Sequence, residues 1–281
     1  MTYARIGDRL SWIAALFATL AAAAGLLVAG LYRDAPFWID QARGTDVATL
    51  FLAVPILVGG LLAARRGSTL GRLVALAGLL YLVYNYAIFS FSVAMNPLSA
   101  MYIAILGLAV WSLFLELADL DLAALARSVE DRLPRRTTAT AVVVVAALFG
   151  LLWLGQIASV TASGVLPPDL VRANLPTNPI YALDLAMFLP LCVLVGAGLL
   201  RGSRLGGFAL PMLIWLSLTS AAVLAGFAIP ALRGEALPIA PAVMVGAIGI
   251  VTTVLAALAF RPRRAVRRVP HAMSLIDDPA T

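Results

Sequence analysis

Eight nearly unbroken apolar stretches, at 10–32, 47–64, 73–95, 99–118, 138–161, 180–200, 207–229 and 238–260, are set apart by short polar or basic clusters. A helix needs about 20 apolar residues to cross a hydrocarbon core, and all eight stretches approach or reach that length. They are too long and too uniformly apolar for barrel strands, which run to about 10 alternating residues. The pattern therefore predicts an all-α, polytopic integral membrane protein with eight transmembrane helices, each satisfying its own backbone in lipid. The first stretch exceeds the 7–15 residues of a signal-peptide core, so it reads as a retained helix.

Weaker patterns fill the connections. Leu122, Leu125, Val129 and Leu133 recur every three or four residues, an amphipathic stripe. It is expected to lie on the inner leaflet with Arg127, Arg132, Arg135 and Arg136 toward phosphate. Asp34–Gly44 predicts a short interfacial helix, with Pro36 near its start and Phe37 and Trp38 among headgroups. Thr45-Asp46 and Thr177-Asn178-Pro179 read as helix N-caps. Pro55, Pro190 and Pro211 are expected to kink their helices. The segment 270–281 has no apolar pattern and is expected to be disordered.

One motif occurs twice. Arg-Gly-Ser followed by Leu-Gly spans Arg66–Gly71 and again Arg201–Gly206, with Pro55 and Pro190 eleven residues upstream in each case. Every match has the same offset of 135 residues. In both places the motif joins the second and third apolar segments of a set of four. Gly67 and Gly202 suit a left-handed helix-ending turn, the preceding arginines suit a helix C-terminus, and Ser68 and Ser203 suit N-caps. The expectation is two four-helix repeats, 1–136 with the amphipathic linker and 137–269, followed by the tail at 270–281. Four is an even number, so both copies enter the membrane from one side and form a parallel repeat.

Composition fits this picture: 62% hydrophobic and 12% charged residues, against about 45–50% and about 25% in soluble domains. The net charge of +6 does not point to nucleic acid. With the N-terminus in the cytoplasm, sixteen of the twenty basic residues, all arginines, fall in inside segments, as positive-inside topology requires. The expected partners are thus the lipid bilayer with anionic lipid at the cytoplasmic face, a small weakly polar ligand, and a membrane partner or second copy. A chain rich in Ala, Leu and Arg and without Lys suggests a GC-rich bacterial genome. The expected location is the bacterial inner membrane, with both termini cytoplasmic.

Polar groups inside the spans are the candidates for function. Tyr81, Asn85 and Ser92 share a face of the third segment, with Tyr84 beside them. The positions 135 residues after Tyr84 and Asn85 are Thr219 and Ser220, with Ser217 close by. Gln156 and Asp184 lie toward the outer ends of the fifth and sixth segments. Together Tyr81, Tyr84, Asn85, Ser92, Gln156, Asp184, Ser217 and Ser220 outline a pocket opening outward. Trp111 and Trp153 read as packing residues and Cys192 as a small core residue. Glu116, Asp119 and Asp121 read as headgroup-level partners of arginines.

Much chemistry is excluded. Without Lys there is no Walker A motif, no Schiff base and no Ser–Lys dyad. The single His, His271, lies in the tail, which removes haem, zinc and Ser–His sites within the spans. No metal or cofactor is expected, and no catalytic residue is assigned. The leading expectation is a permease-like module that binds a small weakly polar or lipid-like molecule between its halves. The alternative is a non-catalytic accessory or sensory membrane subunit working through helix contacts, and a lipid-modifying enzyme is a distant third. A permease calls for a cavity bounded by Tyr81, Asn85, Asp184 and Ser220, whereas dense packing there favours the accessory role.

Overall fold

The computed structural model describes residues 2–262. The expected disordered tail, and with it His271, lies outside the described residues. All described secondary structure is helical, and eight helices are long and apolar enough to cross a membrane. The spans are α1 (Thr2–Leu27), α2 (Pro36–Arg65), α3 (Thr69–Ser92), α4 (Ser99–Ala118), α6 (Arg135–Ser163), α8 (Pro179–Arg201), α9 (Arg204–Leu232) and α10 (Ile239–Leu258). Two short helices lie between them, α5 (Leu122–Glu130) and α7 (Pro168–Ala173).

The second span differs from expectation. There is no separate interfacial helix over Asp34–Gly44, and Thr45-Asp46 is no N-cap. Instead α2 starts at Pro36, where a proline at the first helical position loses nothing, and runs unbroken to Arg65. Trp38 is buried against protein. By contrast Asn178 does cap α8, its side chain accepting the Ile180 N–H at 2.9 Å.

The prolines at 55 and 190 are accommodated by π turns. The first covers Thr49–Ala53 and the second Asp184–Phe188. Their hydrogen bonds run from Val54 N–H to the Thr49 carbonyl and from Leu189 N–H to the Asp184 carbonyl. A helix-interior proline donates no N–H and its ring crowds the carbonyl four residues back; a widened turn relieves that crowding. Thr49 and Asp184, like the two prolines, are 135 positions apart. Pro211 instead sits in the first α-helical turn after a 3-10 segment, Arg204–Phe208, where a proline is tolerated.

Both motif turns use glycine as expected, with φ of 82° at Gly67 and 65° at Gly202. Ser68 caps α3 by accepting the Gly71 N–H at 3.1 Å. Ser203 makes no such cap, because the 3-10 segment follows it directly.

The linker α5 buries Leu125 and Val129 against that 3-10 segment, so its apolar stripe faces protein and not the leaflet. Two of its expected phosphate-facing arginines are also occupied. Arg132 donates to the Ala259 carbonyl at 3.0 Å, and Arg135 to the Leu199 carbonyl at 2.5 Å and to the Leu200 carbonyl. They cap the C-terminal ends of α10 and α8, where the helix dipole favours a cation. Asp121, expected to partner an arginine, feels Arg127 and Arg204 through charge and caps α5, accepting the Ala123 and Ala124 N–H groups at 3.0 Å each. The Ala124 amide, and then that of Ala123, hold its carboxyl below the ordinary range.

The most enclosed span is α3, which packs against α2, α4 and α9. The α2–α9 contact joins the first four spans to the last four. Its crossing is close because a Cβ on Gly44 would overlap the Gly226 backbone. At one end of that crossing Arg233 forks onto Asp40, at 2.9 Å to Oδ1 and 2.5 Å to Oδ2. The fork with Asp40, and then Glu235, raises the Arg233 pKa above its ordinary value. Pairing inside the two sets of spans is not the same. In the first, α1 and α4 pack extensively; in the second, the corresponding α6 and α10 touch only lightly.

Candidate functional site

The site is built on α3. Tyrosines three residues apart on a helix occupy neighbouring faces, so Tyr81 and Tyr84 reach different partners, each at the head of a π turn. The Tyr81 hydroxyl lies 3.1 Å from Thr49 Oγ1 and donates to the Thr45 carbonyl at 3.3 Å. The Tyr84 hydroxyl donates to Asp184 Oδ1 at 3.0 Å. The other carboxylate oxygen, Oδ2, accepts the Trp153 indole N–H at 2.8 Å. Three spans, α3, α6 and α8, thus converge on one buried acid.

Aromatic rings surround this acid. Tyr84 meets Phe188 and Trp215 edge-on, at centroid distances of 4.8 and 5.3 Å, and those two rings stack at 4.7 Å. Trp153 stacks on Tyr181 at 4.5 Å and on Phe149 at 5.6 Å. Tyr81, Tyr84, Asn85 and Asp184 are all buried. An aromatic wall and two donors make a dry, satisfied environment for a carboxyl group.

The other expected site residues do not join it. Asn85 folds back on its own helix, donating to the Tyr81 carbonyl at 3.0 Å. Ser217 bonds Thr252 of α10 at 2.9 Å and its own helix at Leu213, and Ser220 packs beside Gly249, also on α10. Gln156 is half-buried on α6, three residues beyond Trp153. Ser92 lies at the far end of α3 in a cleft of about 350 Å³ with Arg33, Asp34 and Asn174. Tyr81 and Asn85, the expected floor of an outward pocket, are both buried against protein. The cleft that does open at that end joins the α1–α2 loop and the end of α3 to the segment after α7.

Reading the sequence missed several participants. Trp153, taken as packing, is a donor; its spacing of three from Gln156 on α6 was the available signal. Asp46 is a second buried acid, accepting the Tyr32 hydroxyl at 2.5 Å. Burial, and then the Asp46 charge, pushes the Tyr32 hydroxyl well above its ordinary pKa, so it stays a donor. Asp40 is a third, held by Arg233. Asp34 is half-buried; burial raises its carboxyl pKa above the ordinary value, although Oδ1 accepts the Ala94 N–H at 2.8 Å.

Chemically, Asp184 with Tyr84 is a titratable pair within hydrogen-bond reach, which acid–base work requires. Both groups are buried and both carboxylate oxygens are engaged by protein. Among the described residues no group of three His, Cys, Asp or Glu side chains could hold a metal ion. In comparisons with known proteins, the chain matches no family model, no curated protein and no solved structure.

Proposed function

We propose that the chain is a multi-pass inner-membrane protein that works through helix–helix contacts, as a non-catalytic accessory or sensory subunit. The observation that carries this reading is the closure of the Tyr84–Asp184–Trp153 cluster. Across the seam between the first and last four spans, Tyr84 is used on Asp184, while Tyr81 with Thr49 and Ser217 with Thr252 pair within each set. Polar groups in hydrocarbon act in this way as interhelical glue. The spans lie in two like-directed four-helix units that arose by duplication, with the arginine-rich turns and both termini in the cytoplasm. Support comes from the common offset of the prolines, the left-handed glycines and the two π turns. The differing α1–α4 and α6–α10 contacts mark how far the units have diverged.

A second reading, a permease for a small weakly polar molecule, has one observation in its favour. The cleft that includes Ser92 lies on the seam between the units, on the Asp34 side. A π turn beside a buried acid is also a frequent mark of functional helices.

Thiol accessibility in intact membranes separates the two. Cys192 is buried and can be replaced by Ala to clear the background. Under the contact reading Asn85→Cys and Ser220→Cys resist water-soluble thiol reagents, whereas Ser92→Cys reacts from outside. Reaction at positions 85 and 220 would establish an aqueous path and favour the permease. Ser68→Cys and Ser203→Cys are expected to label from the cytoplasmic side only. Labelling from opposite sides would overturn the like-directed arrangement.

A further inference from the structure

A second cleft, of about 180 Å³, opens at the opposite end of the first unit, where α1, α2, α3 and α4 meet. Its walls carry charges of both signs from all four helices: Arg5 and Asp8 on α1, Arg65 on α2, Arg72 on α3 and Glu116 on α4. Its floor is hydrocarbon, ending on the fully buried Leu79. We propose that this cleft binds the headgroup of a zwitterionic aminophospholipid, a phosphodiester joined to a primary ammonium. The proposal rests on the membrane reading above, which puts this end among headgroups.

The charge pattern selects the ligand. A purely anionic headgroup would meet Asp8 and Glu116 as well as the arginines; a zwitterion matches both. Arg65 is already fixed in place. It donates to Asp8 Oδ2 through Nε at 3.2 Å and Nη2 at 2.7 Å, and its guanidinium lies 4.8 Å from the Trp12 ring centre. That leaves Nη1 for a phosphate oxygen. The side chains of Arg72 and Glu116 have no hydrogen-bond partner among the described residues, although they are close enough to act on each other by charge. A phosphate accepts from arginine in a planar fork, and an ammonium donates three N–H bonds to carboxylates. A quaternary ammonium has no N–H to give. At about 180 Å³ the cleft is ample for a headgroup whose chains leave along the apolar wall. Basic pockets between spans at the cytoplasmic face are known lipid-headgroup sites; the two acids here add selection for the amine.

Native mass spectrometry of the purified full-length protein tests this, with phosphatidylethanolamine, phosphatidylcholine, phosphatidylglycerol or soluble phosphoethanolamine added. One phosphatidylethanolamine should be retained, roughly tenfold over phosphatidylcholine, a difference of about 1.4 kcal/mol. Arg72→Gln and Glu116→Gln should each weaken retention, whereas Arg136→Gln, at an exposed site outside the cleft, should not. Thermal melts check that the variants fold, and Arg72→Lys should restore part of the binding. Equal retention of the three lipids, or indifference to both cleft substitutions, would overturn the proposal. Binding of phosphoethanolamine without lipid preference would assign the cleft to a soluble zwitterion and overturn the lipid assignment. The thiol-labelling experiment is separate: if it fails while selective retention persists, the membrane orientation falls and the cleft stands.

Discussion

Replacing Tyr84 by Phe removes one hydroxyl and leaves the ring against Phe188 and Trp215. Asp184 Oδ1 then loses the Tyr84 hydroxyl, its donor at 3.0 Å, while Oδ2 keeps the indole. Interhelical hydrogen bonds in membranes average about 0.6 kcal/mol and reach about 1.7. Bonds to a charged partner in proteins run to about 1.5–3 kcal/mol. The substitution should therefore shift the folding equilibrium by between about 3-fold and about 150-fold. Unfolding in mixed micelles with increasing denaturing detergent measures it. A double-mutant cycle with Asp184→Leu isolates the pair, since Leu cannot accept the hydroxyl. Trp153→Phe, which keeps the stack on Tyr181, provides a second cycle for Oδ2. Couplings of at least about 0.6 kcal/mol are expected for both. Additive effects, within the roughly 0.3–0.5 kcal/mol seen for independent sites, would refute the view that this acid joins three spans.

Three further outcomes follow from the same geometry. Gly44→Ala should destabilise by about 1–3 kcal/mol in the same assay, because its methyl overlaps the Gly226 backbone and the crossing must open. Arg233→Gln leaves the buried Asp40 without its fork and should lower the unfolding midpoint, though by less than breaking a fully buried pair, since the arginine side is half-exposed. Arg233→Lys should recover only part of that loss, since an ammonium lacks the fork. Asp34 gives a pH dependence. Its folded pKa is raised by burial above 3.8, so its contribution to stability is fully present below 3.8 and is lost as pH rises through the folded pKa. Asp34→Asn keeps an acceptor for the Ala94 amide, and thermal melts across this acid range should show a flatter decline for the variant.

The eight helices were legible because lipid-compatible segments differ so strongly in composition from their connections. The fourth span coincides with expectation, Ser99–Ala118, and most others agree to within a few residues at each end. The second failed at its start by eleven residues. Asp40, Gln41, Arg43 and Asp46 depress the hydropathy of that stretch, and the two acids are tolerated because Arg233 and Tyr32 satisfy them in the folded state. Those partners lie far off in sequence or in a loop, so no local pattern announces them. The same holds for the site. Tyr84 and Asp184 were recognisable singly, as polar residues at apolar depth, but their bond spans 100 positions. The amphipathic period of α5 was read correctly, yet it could not say whether the apolar face meets lipid or the 3-10 segment of α9.

The asymmetry of the polar contacts bears on how the two units divide their work. Under the proposed duplication, the counterparts of Thr49, Tyr81 and Tyr84 are Asp184, Leu216 and Thr219. A symmetric protein would have each unit's third span serve its own π turn. Here α9 offers no tyrosine at these positions, and Thr219 Oγ1 is buried without a hydrogen-bond partner among the described residues. Instead α3 serves both turns, Thr49 with Tyr81 and Asp184 with Tyr84. The second unit's acid therefore depends on the first unit's helix, and the units cannot separate without exposing a carboxyl group to hydrocarbon, which is costly. The dependence is mutual: the buried Asp40 of the first unit is held by Arg233 of the second, while the Thr49–Tyr81 contact lies wholly within the first. Loosening the seam should accordingly disturb both sets of four spans, the first at Asp40 and the last at Asp184, while the Thr49–Tyr81 contact persists.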